Sequence, residues 1–134
     1  MDTKIVLVDD DRVTLRFLEH FLVGNLFSVQ TAQDGETALD LVKREKPSIL
    51  ISDLVLPKID GVELCKRIKQ DPDSKRTKVI LMSAVYRESA LRSVARDCGA
   101  DGFVGKPIRS TELLEKIYQL SGEADRPGRK ETPS

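Results

Sequence analysis

Lys4–Asp11 reads KIVLVDDD, a short β-branched apolar run that stops at three aspartates. An unbroken apolar run of this length fits a strand buried on both faces, and parallel sheets covered by helices bury their strands that way. The same pattern returns at Ser48–Ser52 (SILIS), which delivers Asp53, and at Lys78–Met82 (KVILM), which ends at Ser83. Ser28–Ala32 (SVQTA) and the short Gly102–Gly105 (GFVG) are two further strands, the latter followed by Lys106-Pro107.

Between these runs the apolar period lengthens to that of a helix. From Arg12 to Val23, Val13, Phe17, Phe21 and Leu18, Leu22 recur at helical spacing, and Asn25 breaks the pattern. Asp34-Gly35 precedes a helix from about Glu36 to Lys46 that buries Ala38, Leu39, Leu41 and Val42 and ends at Pro47. Asp60 caps a helix carrying Val62, Leu64, Cys65 and Ile68, which Asp71-Pro72 closes. A helix from Arg87 to Cys98 is stopped by Gly99. Ser110 is expected to cap the last helix, with Leu113, Leu114, Ile117 and Tyr118 facing inward.

Strands alternating with amphipathic helices specify an α/β protein with a parallel sheet. Right-handed crossovers leave few topologies, and at this size the doubly wound, flavodoxin-like order 2-1-3-4-5 is the usual one, with five strands and five flanking helices. The domain is expected to cover residues 1–121, with 122–134 a polar, Pro- and Gly-containing tail or linker that reads as disordered.

Composition narrows the function. The 134 residues carry 22 basic and 22 acidic side chains, so the basic excess of a nucleic-acid binder is absent. There is no tryptophan, and aromatics make up only 4% of the chain, which disfavours a base-stacking platform. The first apolar run is too short for an export signal or a membrane span, so a cytoplasmic, membrane-free protein is expected. Cys65 and Cys98 lack metal-type spacing; a disulfide is open to them, but reduced core residues suit this chain better.

Open parallel sheets bind ligands outside the carboxyl ends of their strands. This chain places Asp9, Asp10 and Asp11 there after its first strand, Asp53 after the third, Ser83 after the fourth and Lys106 after the fifth. Each has a plainer reading alone: Asp11 a helix cap, Asp53 and Ser83 turn residues, Lys106 a solvated charge. The conjunction is what counts. Clustered carboxylates repel, and a hard divalent cation such as Mg2+ relieves that repulsion. A carboxylate beside the cation can attack phosphorus, while an amine and a hydroxyl receive the phosphoryl oxygens.

VLVDDD, ISDLVLPKIDG, LMSA and GFVGKP, in this order, resemble the signature segments of response-regulator receiver domains. The resemblance covers Lys4 to Leu120 and implies a role for each matching residue. Asp10 is a direct ligand of Mg2+ (Mn2+ a substitute), Asp9 acts partly through water, and Asp53 is both ligand and phosphoacceptor. The Val55 backbone carbonyl is a third protein ligand. Ser83 is the switch hydroxyl, Phe103 the switch aromatic and Lys106 the phosphate-binding lysine, and the Lys106-Pro107 peptide is cis. The phosphodonor is a sensor histidine kinase or a histidine phosphotransfer protein. The output is an effector protein or domain, or a homodimer formed on phosphorylation, through the face built by helix 4, strand 5 and helix 5.

Two rival readings remain beside it. A phosphatase whose aspartate nucleophile turns over exogenous phosphoesters would need a second, general-acid aspartate two residues after the nucleophile, where this chain has Val55. A degenerate receiver, acting only as an interaction module, would not need the complete set Asp9, Asp10, Asp53, Ser83 and Lys106. Val55 and Val85 are expected to border the path of attacking water and to slow loss of the phosphoryl group. His20 reads as a surface residue, as do Lys66, Arg67 and Lys69, while Arg87, Arg92 and Arg96 read as surface charge or part of a partner face.

Overall fold

The computed structural model describes residues 3–84 and 88–122. Its elements alternate without exception: β1 (Lys4–Val8), α1 (Arg12–Gly24), β2 (Ser28–Ala32), α2 (Gly35–Glu45), β3 (Ile49–Asp53), α3 (Gly61–Gln70), β4 (Lys78–Ser83), α4 (Glu88–Cys98), β5 (Gly102–Gly105) and α5 (Ser110–Ser121). All strand pairings are parallel, in the order β2-β1-β3-β4-β5. The expected topology is the observed one, with strand ends moved by a residue at β3 and β4.

The two faces of the sheet build two cores. Ile5, Leu7, Ile49, Ile51, Ile80 and Met82 pack on one side with Leu15, Leu18 and Leu22 of α1 and Leu113 and Ile117 of α5. Val6, Val8, Leu50, Val79 and Leu81 pack on the other with Ala38, Leu41 and Val42 of α2, Leu64, Cys65 and Ile68 of α3, and Cys98 of α4. Ile49, Leu50 and Ile51 are fully buried in β3, where each contributes about 1.5–3 kcal/mol. Asp53 ends this same buried strand, one residue beyond Ser52.

Side-chain caps start three helices. Asp11, Asp34 and Asp60 accept backbone N–H groups from Val13, Thr37 and Glu63. The expected cap at Ser110 is not found: Ser110 is already helical, and Arg109 precedes it without a side-chain cap. Lys46 ends α2 in the left-handed region (φ 49°), its N–H bonded to the Val42 carbonyl at 2.9 Å, and Pro47 follows, which cannot continue a helix. Gly99 (φ 85°) stops α4 as expected.

Helix α1 corrects one reading. Leu15, Leu18 and Leu22 are its buried positions, and Phe21 is partly buried, but Val13 and Phe17 are 77% and 57% exposed. Two stripes on this helix share the same period, and only the sheet decides which is inward. Lys69 corrects another: its ammonium lies 2.8 Å from Asp101 Oδ2 and 2.9 Å from the Thr77 carbonyl, tying α3 to the residues that lead into β5 and β4. His20, Lys66, Arg67 and Arg96 are exposed as expected. Residues 85–87 and 123–134, and the side chain of Arg92, lie outside the described residues, so the readings of Val85, Arg87, Arg92 and the tail do too.

Cys65 and Cys98 are free and buried, with Cys65 Sγ 3.3 Å from the Cys98 carbonyl oxygen. Burial pushes the Cys65 thiol pKa up. Among the described residues, no helix is long and apolar enough to cross a membrane.

Candidate functional site

Strand β1 lies between β2 and β3, so successive crossovers leave it in opposite directions and open a crevice at its carboxyl end. Asp9 and Asp10 follow β1 directly, and Asp53 closes β3 beside them. One oxygen from each of these three carboxylates lies within 4.8 Å of the others. Asp9 is fully buried, Asp53 half-buried and Asp10 exposed, so the cluster grades from core to solvent.

Three groups hold Asp9 and Asp53 in place. The Asp11 N–H donates to Asp9 Oδ1 at 2.9 Å, which anchors the buried member to the first turn of α1. Lys106 Nζ lies 2.9 Å from Asp9 Oδ2 and 3.0 Å from Asp53 Oδ2. The Val55 N–H approaches Asp53 Oδ1 at 3.4 Å. Partial burial of the Lys106 ammonium pulls its pKa down, but the hydrogen bonds and charges of Asp9 and Asp53 outweigh this, and the pKa is raised. Lys106 is therefore a full positive charge at neutral pH, set between two carboxylates.

The backbone explains how Lys106 arrives there. Its N–H donates to the Ser83 carbonyl at 2.8 Å, continuing the β4–β5 ladder by one residue. The Lys106-Pro107 peptide is cis, as expected. Ser83 is buried at the end of β4, the strand between Asp53 and Lys106. Phe103 pairs with Leu81 and is partly buried against the core beneath α3 and α4. Val55 is 73% exposed in the loop after Asp53, with no polar side-chain atom to offer.

Asp11 caps α1 with 3.3 Å to the Val13 N–H and 2.6 Å to the Thr14 hydroxyl, matching its plainer reading. The hydrogen bond from the Thr14 side chain, ahead of its backbone contacts, lowers its pKa. The bond from Lys106 to Asp9 was not legible in sequence, where the lysine's expected partner was the phosphoryl group alone. No local signal predicts it, because the partners are 97 residues apart.

A donor set of three carboxylates, all hard oxygen ligands, suits Mg2+ better than a softer metal. The doubly wound sheet and the Asp–Asp–Lys crevice at its switch point define a class. The chain belongs to the response regulator receiver domain family, whose model matches residues 5–118. It is 36% identical to the response regulator MprA of Mycolicibacterium vanbaalenii over 121 residues, which are 90% of this chain and 51% of that protein. It is 33% identical to the response regulator PleD of Caulobacter vibrioides over 90% of this chain and 26% of that one. The chain thus spans about half and about a quarter of these relatives. A crystal structure of a putative response regulator from Chloroflexus aurantiacus superposes with a TM-score of 0.86 at 32% identity, over 92% of this chain and all of that one.

Proposed function

We propose that this domain accepts a phosphoryl group on Asp53 from a histidine donor and relays the event through its α4–β5–α5 face. The observation that carries this reading is Lys106 Nζ held at 2.9 and 3.0 Å from Asp9 and Asp53 within a three-carboxylate crevice. Few other reactions need that combination. An Asp53 oxygen attacks phosphorus, the P–N bond to the donor imidazole breaks, and the imidazole leaves with the electron pair and takes up a proton. Lys106 meets one phosphoryl oxygen with its charge, and the Ser83 hydroxyl meets another.

Asp9, Asp10, Asp53 and the Val55 carbonyl would hold Mg2+, or Mn2+ in its place. The bound cation supplies charge neutralisation for the incoming phosphoryl oxygens. The domain catalyses its own modification and no turnover of other substrates. A protein donor is favoured by the apolar groove of about 600 Å3 beside Lys106, lined by Val13, Phe17, Ala84, Pro107 and Ile108. A sensor histidine kinase or a histidine phosphotransfer protein would meet the domain in the cytoplasm.

For the output, Ser83 is drawn toward the phosphoryl group and Phe103 turns into the space it leaves. This shifts the population between two packings of α4, β5 and α5 and exposes a surface to an effector or a second copy. Incubation with Mg2+ and acetyl phosphate, followed by intact mass over time, tests the first step. A single added phosphoryl group is expected, and none in Asp53→Asn. Unchanged labelling in that variant would overturn the assignment, and an unlabelled wild type would favour a receiver that only binds partners.

A further inference from the structure

The loop from Leu54 to Asp60 carries the Val55 carbonyl, and two glycines that touch no charged group of the crevice confine it. Gly61, at the start of α3, donates its N–H to the Leu54 carbonyl at 2.9 Å. A Cβ there would overlap the Asp53 carbonyl oxygen and stand 2.9 Å from Leu54 Cα. Gly35, at the start of α2, donates to the Pro57 carbonyl at 3.4 Å. A Cβ at Gly35 would overlap the Ile59 carbonyl oxygen and come within 2.8 Å of Ile59 Cβ. Lys58, in the left-handed region at φ 68°, reaches back to Asp34 Oδ2 at 3.9 Å and Glu36 Oε1 at 3.8 Å. One end of the loop is thus fastened to α3 and the other to the first turn of α2. Only Val55 and Leu56 lie between the two attachments, and Leu56 is itself buried.

We propose that Gly35 is a positioning residue for the metal site, because its bare Cα lets α2 press on the loop and fix where the Val55 carbonyl points. This rests on the Mg2+ reading above and extends it to a residue outside the ligand set. Backbone, unlike a side chain, cannot rotate a displaced carbonyl back into place without moving its neighbours. A Cβ at Gly35 pushes Ile59 and Pro57 outward, and Val55 stands only two residues before Pro57.

The test compares wild type, Gly35→Ala and Lys58→Met by calorimetric Mg2+ titration, thermal unfolding and acetyl phosphate labelling at limiting and saturating Mg2+. Losing an outer support of a metal site weakens affinity by about 10-fold or more. Gly35→Ala is expected to show that loss, slow labelling at limiting Mg2+ and recovery of the rate at saturation. Lys58→Met keeps the backbone and serves if Gly35→Ala does not fold. Removing a nearby cation would by itself tighten Mg2+ binding, whereas loosening the loop weakens it, so weaker binding supports the proposal. A lowered melting temperature with wild-type Mg2+ affinity in Gly35→Ala, or tighter binding in Lys58→Met, would overturn it. A wild type that binds no Mg2+ would instead overturn the metal reading and this inference with it, which keeps the two failures distinct.

Discussion

Leu26 occupies a position that chemistry reserves for glycine. The Phe27 N–H bonds the Leu22 carbonyl at 3.1 Å and the Leu26 N–H bonds the Val23 carbonyl at 3.0 Å, the paired bonds of a Schellman ending. Phe27 and Leu22 pack in the same core, as that motif requires. The residue between them must be left-handed, and Leu26 sits at φ 73° with 67% of its surface exposed. A side chain in that conformation costs about 1–2 kcal/mol, and little burial compensates. Leu26→Gly is therefore expected to raise stability by about 1 kcal/mol, read as a higher urea midpoint at unchanged slope. A lower midpoint would show that the exposed leucine contributes more than its backbone costs. Sequence reading found the break at Asn25 but not this feature, since a leucine carries no turn signal.

At the scale of single elements, α2 bears most directly on the site. Its cap, Asp34, takes the Thr37 N–H at 2.7 Å and the Thr37 hydroxyl at 3.1 Å and lies near Lys58. The backbone N–H of Thr37, foremost among these, holds the carboxyl below its usual range. A depressed carboxyl stabilises the fold above the unfolded-state value of about 3.9, and the benefit is lost as pH falls through the folded-state value. Asp34→Ala is expected to cost about 1 kcal/mol at neutral pH. The gap between variant and wild type should shrink below about pH 4, measured by denaturant unfolding across the acid range. A gap independent of pH would show that charge plays no part in the cap. Element type was legible here, because Asp34-Gly35 and Pro47 bracket an unambiguous apolar period. On α1 it was not sufficient: Val13 and Phe17 share the helical period with Leu15, Leu18 and Leu22, and the sheet buries only the leucines, with Phe21 partly buried beside them. Helix α5 began without the expected serine cap for a similar reason, since Leu113 and Ile117 in the core hold its register.

Across the whole molecule, the sheet order and the crevice were readable because buried parallel strands and their terminal acids are local signals. Asp9, Asp10 and Asp53 each follow an apolar run that could be little else than a strand. The links among them were not readable, because the Lys106 bridge and the Gly35–Ile59 approach depend on strands brought together only in the folded state. The end of the domain is one more global property. Helix α5 closes at Ser121, and Gly122 follows at φ 74°. On the expectation that the domain ends with α5, a chain ending at Gly122 should melt close to the full chain and accept phosphate at the same rate. Lost labelling in that chain would assign the remaining residues a part in the reaction.

The bond from Lys106 to Asp9 spans 97 positions, nearly the whole domain. During synthesis, the strands that carry both aspartates leave the ribosome well before the lysine does. A growing chain that has released only β1 to β4 carries Asp9, Asp10 and Asp53 without the ammonium that joins two of them. Under the chemistry proposed above, such a chain would lack the ammonium that meets one phosphoryl oxygen. On that reading, competence to accept phosphate would arrive only with the last strand.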